Sequence, residues 1–186
     1  MGYSSVHGSE CHKKRFEPIL GKMKILAIDP GNIESGFVIW DGKTICKKGI
    51  IENSEFLDKF ATIIRSYGIR FLAMEMVASY GMPVGATVFE TCFWAGRFIQ
   101  EFTNCSKFYS HINGFELVYR KDVKMHLCQS MRAKDGNIRQ ALIDRFEPGL
   151  RHKQRPIGVL KGVSKDIWAA LAVAVYYYDT IKNDSK

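Results

Sequence analysis

The most constraining feature of the sequence is a series of short apolar runs, separated by turn residues, near its start. The runs cover residues 24–29, 36–40 and 44–51, and Asp41-Gly42 between the last two is typical of a hairpin turn. Strands joined by such short connections pair side by side in opposite directions. The sequence therefore predicts an antiparallel meander of three strands.

Helical and extended patterns follow this meander. Residues 70–77 are apolar on both faces, as expected for a central strand between helices. Ser54 and Ser164 are each expected to cap a helix. The predicted helices cover residues 55–67, 86–102, 121–131, 137–146 and about 165–181, and a fifth strand covers residues 115–119. The predicted fold is α/β, with a mixed five-stranded sheet in the order βββαβαβ, followed by helices and flanked by them.

The length and composition of the chain suit one ordinary domain. The 186 residues include 46% hydrophobic and 25% charged residues, which is enough for a sizeable core. Residues 1–22 are polar and irregular, and we expect a flexible N-terminal extension before a domain at 23–186. The five cysteines lack zinc-ligand spacing, and no run is apolar enough to span a membrane. These features favour a reduced, cytoplasmic protein without a membrane partner.

Positive charge is concentrated in one part of the chain. Residues 120–165 contain twelve lysines and arginines against four acidic residues, an excess equal to the whole net charge of +8. Such a concentration favours a polyanionic partner. A solvated charged face is the competing explanation, but the amount of charge makes nucleic acid the better interpretation.

Two carboxylates lie in apolar strand patterns. Asp29 closes the first strand, and Glu75 lies inside the fourth. Burying such a group costs several kcal/mol unless a cation or hydrogen-bond donors compensate. If the two strands are neighbours, both acids reach the same end of the sheet, where a divalent ion would offset their repulsion. Asp29-Pro-Gly-Asn is also an ordinary turn sequence, so Asp29 gains weight only from its combination with Glu75.

A third acid, Asp166, precedes an apolar stretch that contains many small residues. We expect it in the first turn of the last helix, which can pack closely on the sheet and bring the carboxylate to the strand ends. Asp166 could alternatively serve only to complement the helix dipole. Three acids from separate segments would suit oxygen-seeking ions such as Mg²⁺ or Mn²⁺.

These motifs resemble those of RuvC-type Holliday-junction resolvases, and particularly the RuvC-like proteins of bacteriophages and their hosts. The resemblance extends from Met23 to about Tyr178. It is carried by residues 28–31 with Gly36, by Ala73-Met74-Glu75, and by Asp166 before residues 170–174. The first motif also occurs in sugar kinases and actin-like ATPases, whereas the three in this order are fairly specific.

The resemblance implies an RNase H-like fold and a homodimer formed through the helix that starts at Ala86. It also implies hydrolysis of branched DNA with two Mg²⁺ or Mn²⁺ ions about 4 Å apart, one helping to activate water and the other stabilising the leaving oxygen. Asp29 would bridge both ions, with Glu75 on one and Asp166 on the other. Many members carry a further acid one turn after the position of Asp166, where this chain has Ala169.

The resemblance and the basic segment together predict contacts with DNA. Lys124 matches a basic position near the scissile phosphate in the family, and Lys134 and Arg139 begin the next basic helix. Lys165 could stabilise developing phosphate charge, although a solvated lysine explains it at least as well. Tyr80 and Met82 could wedge between unstacked bases at a junction, although loop packing explains them equally well.

The predicted function is a Mg²⁺- or Mn²⁺-dependent endonuclease of branched DNA in recombination or repair, without a small-molecule cofactor. The resemblance to phage proteins favours a host bacterial cytoplasm. One alternative is a catalytically weak DNA-binding dimer of the same fold, which Ala169 supports. Another is a different RNase H-like nuclease, in DNA packaging or RNA processing, although the chain lacks the Walker A motif of a packaging ATPase.

Overall fold

The computed structural model describes residues 23–79, 81, 83–150 and 154–184, so the expected N-terminal extension at 1–22 lies outside the described residues. The strands are β1 (Ile25–Asp29), β2 (Glu34–Trp40), β3 (Ile45–Glu52), β4 (Phe71–Met76) and β5 (Gly114–Tyr119). The helices are α1 (Asn53–Tyr67), α2 (Ala86–Ser106), α3 (Arg120–Cys128), α4 (Asp135–Phe146) and α5 (Ile167–Asp184).

The five strands form one mixed sheet in the spatial order β3-β2-β1-β4-β5. The meander of β1, β2 and β3 is antiparallel, whereas β4 pairs in parallel with both β1 and β5. A parallel connection needs a crossover, and α1 and α2 lie in the two crossovers. The predicted fold class and the predicted order of elements are both confirmed.

Strand alternation divides the core into two layers, one on each face of the sheet. In β1, Ile25 and Ala27 belong to the layer covered by α5, while Leu26 and Ile28 belong to the layer covered by α1 and α2. All four side chains are fully buried. Because side chains alternate along a strand, the next residue, Asp29, continues the series that faces α5.

The predicted starts of α1, α4 and α5 are each wrong by two residues, and for α1 and α5 the predicted caps are wrong as well. Ser54 is not a cap, because α1 already begins at Asn53, whose backbone N–H donates to the carbonyl oxygen of Ile33 at 2.9 Å. Ser164 lies outside α5, which begins at Ile167. Asp166 is therefore not in the first turn; its carbonyl oxygen accepts from Ala170, which makes it the residue that caps the helix. The start of α1 is thus held by a contact distant in sequence, and the start of α5 is capped by the neighbouring Asp166.

None of the described helices is long and apolar enough to cross a membrane.

We expect the layer beneath α1 to be sensitive to the loss of one ring. Phe60 is fully buried between Phe56 and Phe98, with ring centroids 5.6 and 5.8 Å away. Phe60→Ala should lower the free energy of unfolding by about 3–5 kcal/mol, because it removes buried area and leaves a cavity. Phe108, which is 81% exposed, gives the matched control: Phe108→Ala should change it by less than about 0.5 kcal/mol. Equal urea midpoints for the two variants would contradict this expectation.

Candidate active site

Asp29 and Glu75 meet on the face of the sheet that α5 covers. The parallel register pairs Ile28 of β1 with Met74 of β4, so one further step sets Asp29 beside Glu75. Glu75 shares its face with Ala73, a core residue under α5. The side chain of Glu75 is only 15% exposed. The two acids are therefore neighbours, half-buried, at the carboxyl ends of adjacent parallel strands.

Asp166 reaches the same place because of a glycine in β2. Gly36 pairs with Asp29 across the antiparallel ladder. A β-carbon at residue 36 would lie 2.8 Å from the main-chain carbon and oxygen of Asp166, closer than such atoms can approach. The main chain at the start of α5 therefore occupies the space that a side chain at residue 36 would fill. Lys165, directly before Asp166, has a φ of 46°, a left-handed conformation that a non-glycine residue rarely adopts.

The three predicted acids line one cavity of about 260 Å³. Two charged residues that the sequence analysis did not single out also line it, Arg120 and Asp135. A second cavity of about 240 Å³ adjoins it and is again lined by Asp29, Glu75 and Arg120, together with Pro30 and residues 76–78. The two cavities therefore share their acidic residues and are both bounded by the arginine.

Arg120 connects acids from two elements. Its Nη1 donates to both carboxylate oxygens of Glu75, at 3.1 and 3.3 Å, and its Nη2 donates to Asp135 at 2.5 Å. The sequence offered a signal for Arg120, since it directly follows β5, the neighbour of β4, and so lies at the same end of the sheet as Glu75. Asp135 gave no comparable signal, because its position depends on how α4 packs.

The electrostatics of the site are those of crowded carboxylates. Burial, and after it the charges of Glu75 and Asp166, raise the pKa of Asp29 from 3.8 to about 8, with Arg120 opposing the shift. Burial also raises the pKa of Glu75, again against the opposing effect of Arg120. Ionisation of both acids therefore requires more positive charge than one guanidinium supplies.

The residues fit a hard divalent cation by their chemistry. The donors are carboxylate oxygens, the ligands that Mg²⁺ and Mn²⁺ prefer, and a cation would remove the cost of ionising Asp29. Within the described ranges, no three acidic, histidine or cysteine side chains are gathered closely enough to hold an ion. Arg120 binds Glu75 and Asp135 in the same place.

The residues predicted to contact DNA do not all lie together. Arg139 and Lys165 line the larger cavity, and Arg139 lies over the ring of Trp168 at 5.1 Å. Lys124 is near enough to lower the pKa of Glu75. Lys134, the residue before α4, is exposed outside the cavity linings. Tyr80 and Met82 lie outside the described residues.

A buried polar network fixes the loop that follows Asp29. The Asn53 amide donates to the carbonyl oxygen of Gly31 at 3.0 Å and accepts from the hydroxyl of Ser35 at 2.6 Å. Both side chains are almost completely buried. Removing one partner would leave the other unsatisfied, which costs about 1–3 kcal/mol. The network therefore holds the loop, and with it the end of β1, in one conformation.

Known proteins resemble this chain in structure and not in sequence. No protein-family model matches the chain, and no curated protein matches it by sequence. Two solved structures are similar over most of its length. The Thermus thermophilus RuvC structure has a TM-score of 0.65 at 14% identity, covering 88% of this chain and 98% of RuvC. T. thermophilus RuvC in complex with a Holliday junction substrate has a TM-score of 0.62 at 13% identity, covering 88% and 97%. The chain has the RuvC-like resolvase fold.

Proposed function

We propose that the protein is a metal-dependent endonuclease that cuts branched DNA. The observation that carries this proposal is the convergence of Asp29, Glu75 and Asp166 on one cavity at the end of a sheet with the RuvC fold. Three acids brought together from separate segments make folding less favourable unless positive charge neutralises them, and such clusters are typical of functional sites. Binding of divalent cations for phosphodiester hydrolysis is such a task.

In this proposal Asp29, Glu75 and Asp166 hold two Mg²⁺ or Mn²⁺ ions. When bound, the ions polarise the phosphate and make water a stronger nucleophile. The protein itself supplies the position of the substrate. Arg139 and Lys165 in the cavity wall would bind phosphate oxygens beside the acids. Contacts of this kind set affinity and register without reading sequence.

We infer a branched substrate from two arguments. The T. thermophilus RuvC of similar fold was solved with a Holliday junction substrate. In this chain the basic residues extend beyond the cavity to Lys124 and Lys134, which gives the site a wider positive margin than one phosphate requires. Tyr80 and Met82, in the segment after β4, remain our candidates for wedging between unstacked bases.

We also infer a homodimer through the outer face of α2. The inner face buries Ala95, Phe98, Phe102 and Cys105. On the outer face, Phe89 and Phe93 are 64% and 62% exposed, and Arg97 lies over Phe93 and Trp94. A cluster of aromatic residues and arginine is typical of an interface core. A two-fold dimer would present two active sites to opposing strands of a junction.

A catalytically weak DNA-binding dimer is the second candidate. It is favoured by Ala169, which lines the cavity where a further acid could stand, and by the guanidinium of Arg120 among the carboxylates. The two candidates differ in whether the protein cleaves DNA efficiently by means of these carboxylates.

Substitution of the acids separates the two candidates. Asp29→Asn and Glu75→Gln should each lower cleavage of a synthetic four-way junction in Mg²⁺ or Mn²⁺ by about 100-fold or more, since each removes a metal ligand. Junction binding in Ca²⁺, measured by gel shift, should persist because the basic residues are unchanged. Asp144→Asn is the matched control: it changes the same charge at an exposed site on α4 and should cut like the wild type. Equal cleavage by all four proteins would refute the nuclease proposal.

The pKa of Asp29 predicts how stability depends on pH in EDTA. Because burial and the neighbouring acids raise this pKa to about 8 in the folded state, the folded protein retains a proton that the unfolded chain releases near its ordinary value of 3.8. Stability should therefore fall as the pH rises between these values. From about pH 5 to about pH 8 the wild type should lose more unfolding free energy than Asp29→Asn, by on the order of a few kcal/mol. Parallel pH profiles of the two proteins in chemical denaturation would contradict this.

The dimer is tested by charging the aromatic face of α2. Phe93→Asp should convert a wild-type dimer to monomers in sedimentation velocity at micromolar concentration, because two carboxylates would be buried against each other. Ile157→Asp changes an equally apolar side chain, 81% exposed and outside α2, and should remain dimeric. A monomeric wild type would remove this part of the proposal.

A further inference from the structure

The guanidinium of Arg120 occupies the place of a cation in the active site. It contacts Glu75 on one side and Asp135 on the other, and its side chain is only 27% exposed. Both neighbouring cavities are lined by Asp29, Glu75 and Arg120. The protein therefore already places one positive charge where the carboxylates require it.

Asp135 has the position of a fourth acid. It is the first residue of α4 and lines the cavity that also contains Asp29, Glu75 and Asp166. The charge of Asp135 contributes to the raised pKa of both Asp29 and Glu75, so it acts on them across the cavity. Ala169 lines the same cavity without any donor atom. The acid that position 169 lacks is thus present on a different helix.

The backbone at Asp135 is fixed although its side chain is 82% exposed. On α4, Ile138, Leu142 and Ile143 are buried in the core layer that also contains α5. The backbone N–H of Lys134 donates to the side chain of Asn137 at 2.9 Å, which closes the first turn of the helix. The helix therefore presents the carboxylate to the cavity from a rigid base, while the side chain keeps freedom to rotate.

A divalent cation and Arg120 would compete for these carboxylate oxygens. A guanidinium carries one charge and donates along fixed directions, whereas a hard divalent ion takes carboxylate oxygens from several sides. An ion beside Glu75 would repel Arg120 and attract the freed carboxylate of Asp135. Both Arg120 and Asp135 line the cavity and keep part of their side chains exposed, so rotation of these side chains offers a route for exchange of the two cations.

We propose that Asp135 is the fourth carboxylate of the metal site, in place of an acid at Ala169, and that Arg120 is its exchangeable counter-ion. The inference rests on the proposed function, since it assigns further ligands to the same site. It gives Arg120 a role in the metal-free protein and Asp135 a role in the loaded one.

Binding of Mn²⁺ in the absence of DNA tests the proposal directly. The electron paramagnetic resonance signal of free Mn²⁺ is followed during titration of the wild type, Asp135→Asn and Asp144→Asn. Asp135→Asn should weaken the weaker of two sites by about tenfold or more, the scale of losing a supporting ligand. Asp144→Asn removes the same charge from the same helix away from the cavity and should bind as the wild type does. Identical titrations for the two variants would overturn the proposal.

Arg120→Gln tests the exchange in the opposite direction. Removing the competing cation should tighten Mn²⁺ binding, whereas a purely structural arginine would leave it unchanged or weaken it through loss of folding. Circular dichroism and thermal unfolding in EDTA establish that the variant is folded, and Arg120→Lys, which keeps the charge, should bind Mn²⁺ less tightly than Arg120→Gln. Weaker binding by folded Arg120→Gln would count against the exchange.

Asp29→Asn distinguishes failure of this inference from failure of the proposed function. If the wild type binds no Mn²⁺, or Asp29→Asn binds it equally well, the metal-dependent nuclease itself fails. If Asp29→Asn loses binding but Asp135→Asn matches Asp144→Asn, the nuclease proposal stands and the fourth ligand is refuted.

Discussion

Burial of two neighbouring carboxylates at the ends of β1 and β4 is the constraint on which the site depends. Asp29 and Glu75 are neighbours in register, and both are half-buried. Two like charges in such a place oppose folding unless a proton or a cation intervenes. In this structure Arg120 is held against Glu75, while the raised pKa of Asp29 favours a proton on that acid. The position of α3, which begins with this arginine, is therefore tied to the charge of the site as well as to the core.

The same crowding of acids gives the cavity its preference for one kind of cation. A site whose acids are incompletely neutralised attracts further positive charge, and its oxygen donors select hard cations over soft ones. The basic residues around it do not cancel this preference, because Lys134 is exposed outside the cavity and Arg139 lies over Trp168. The site therefore combines acidic residues at its centre with basic residues around them. This is the arrangement expected for the proposed metal-assisted reaction on a polyanion.

Strand alternation explains what could be predicted from the sequence. Asp29 and Glu75 interrupt apolar strands, and an interruption by a charge is visible without any structure. Their convergence was predicted on the condition that β1 and β4 are neighbours, and the two strands do pair in parallel. Asp166 was located only approximately, since it precedes α5 instead of lying in its first turn.

Asp135 could not have been found in this way. The residue lies in a basic segment, where an acid among lysines and arginines resembles an ordinary solvated helix start. Its approach to Glu75 depends on how α4 packs under α5, which is a tertiary contact between Ile138, Leu142 and the core. Asn53 escaped notice for a similar reason, because a buried asparagine gains meaning only from the distant loop to which it bonds.

Gly36 shows that the position of a candidate site residue can depend on the absence of a side chain elsewhere. The main chain at Asp166 lies where a β-carbon of residue 36 would stand, so the close approach of Asp166 to β2 depends on a residue that contributes neither charge nor donor. Substitution is therefore restricted at two places. A change at the start of α5 would place a different group against Gly36. Any side chain at residue 36 in β2 would instead fill the space that Asp166 occupies.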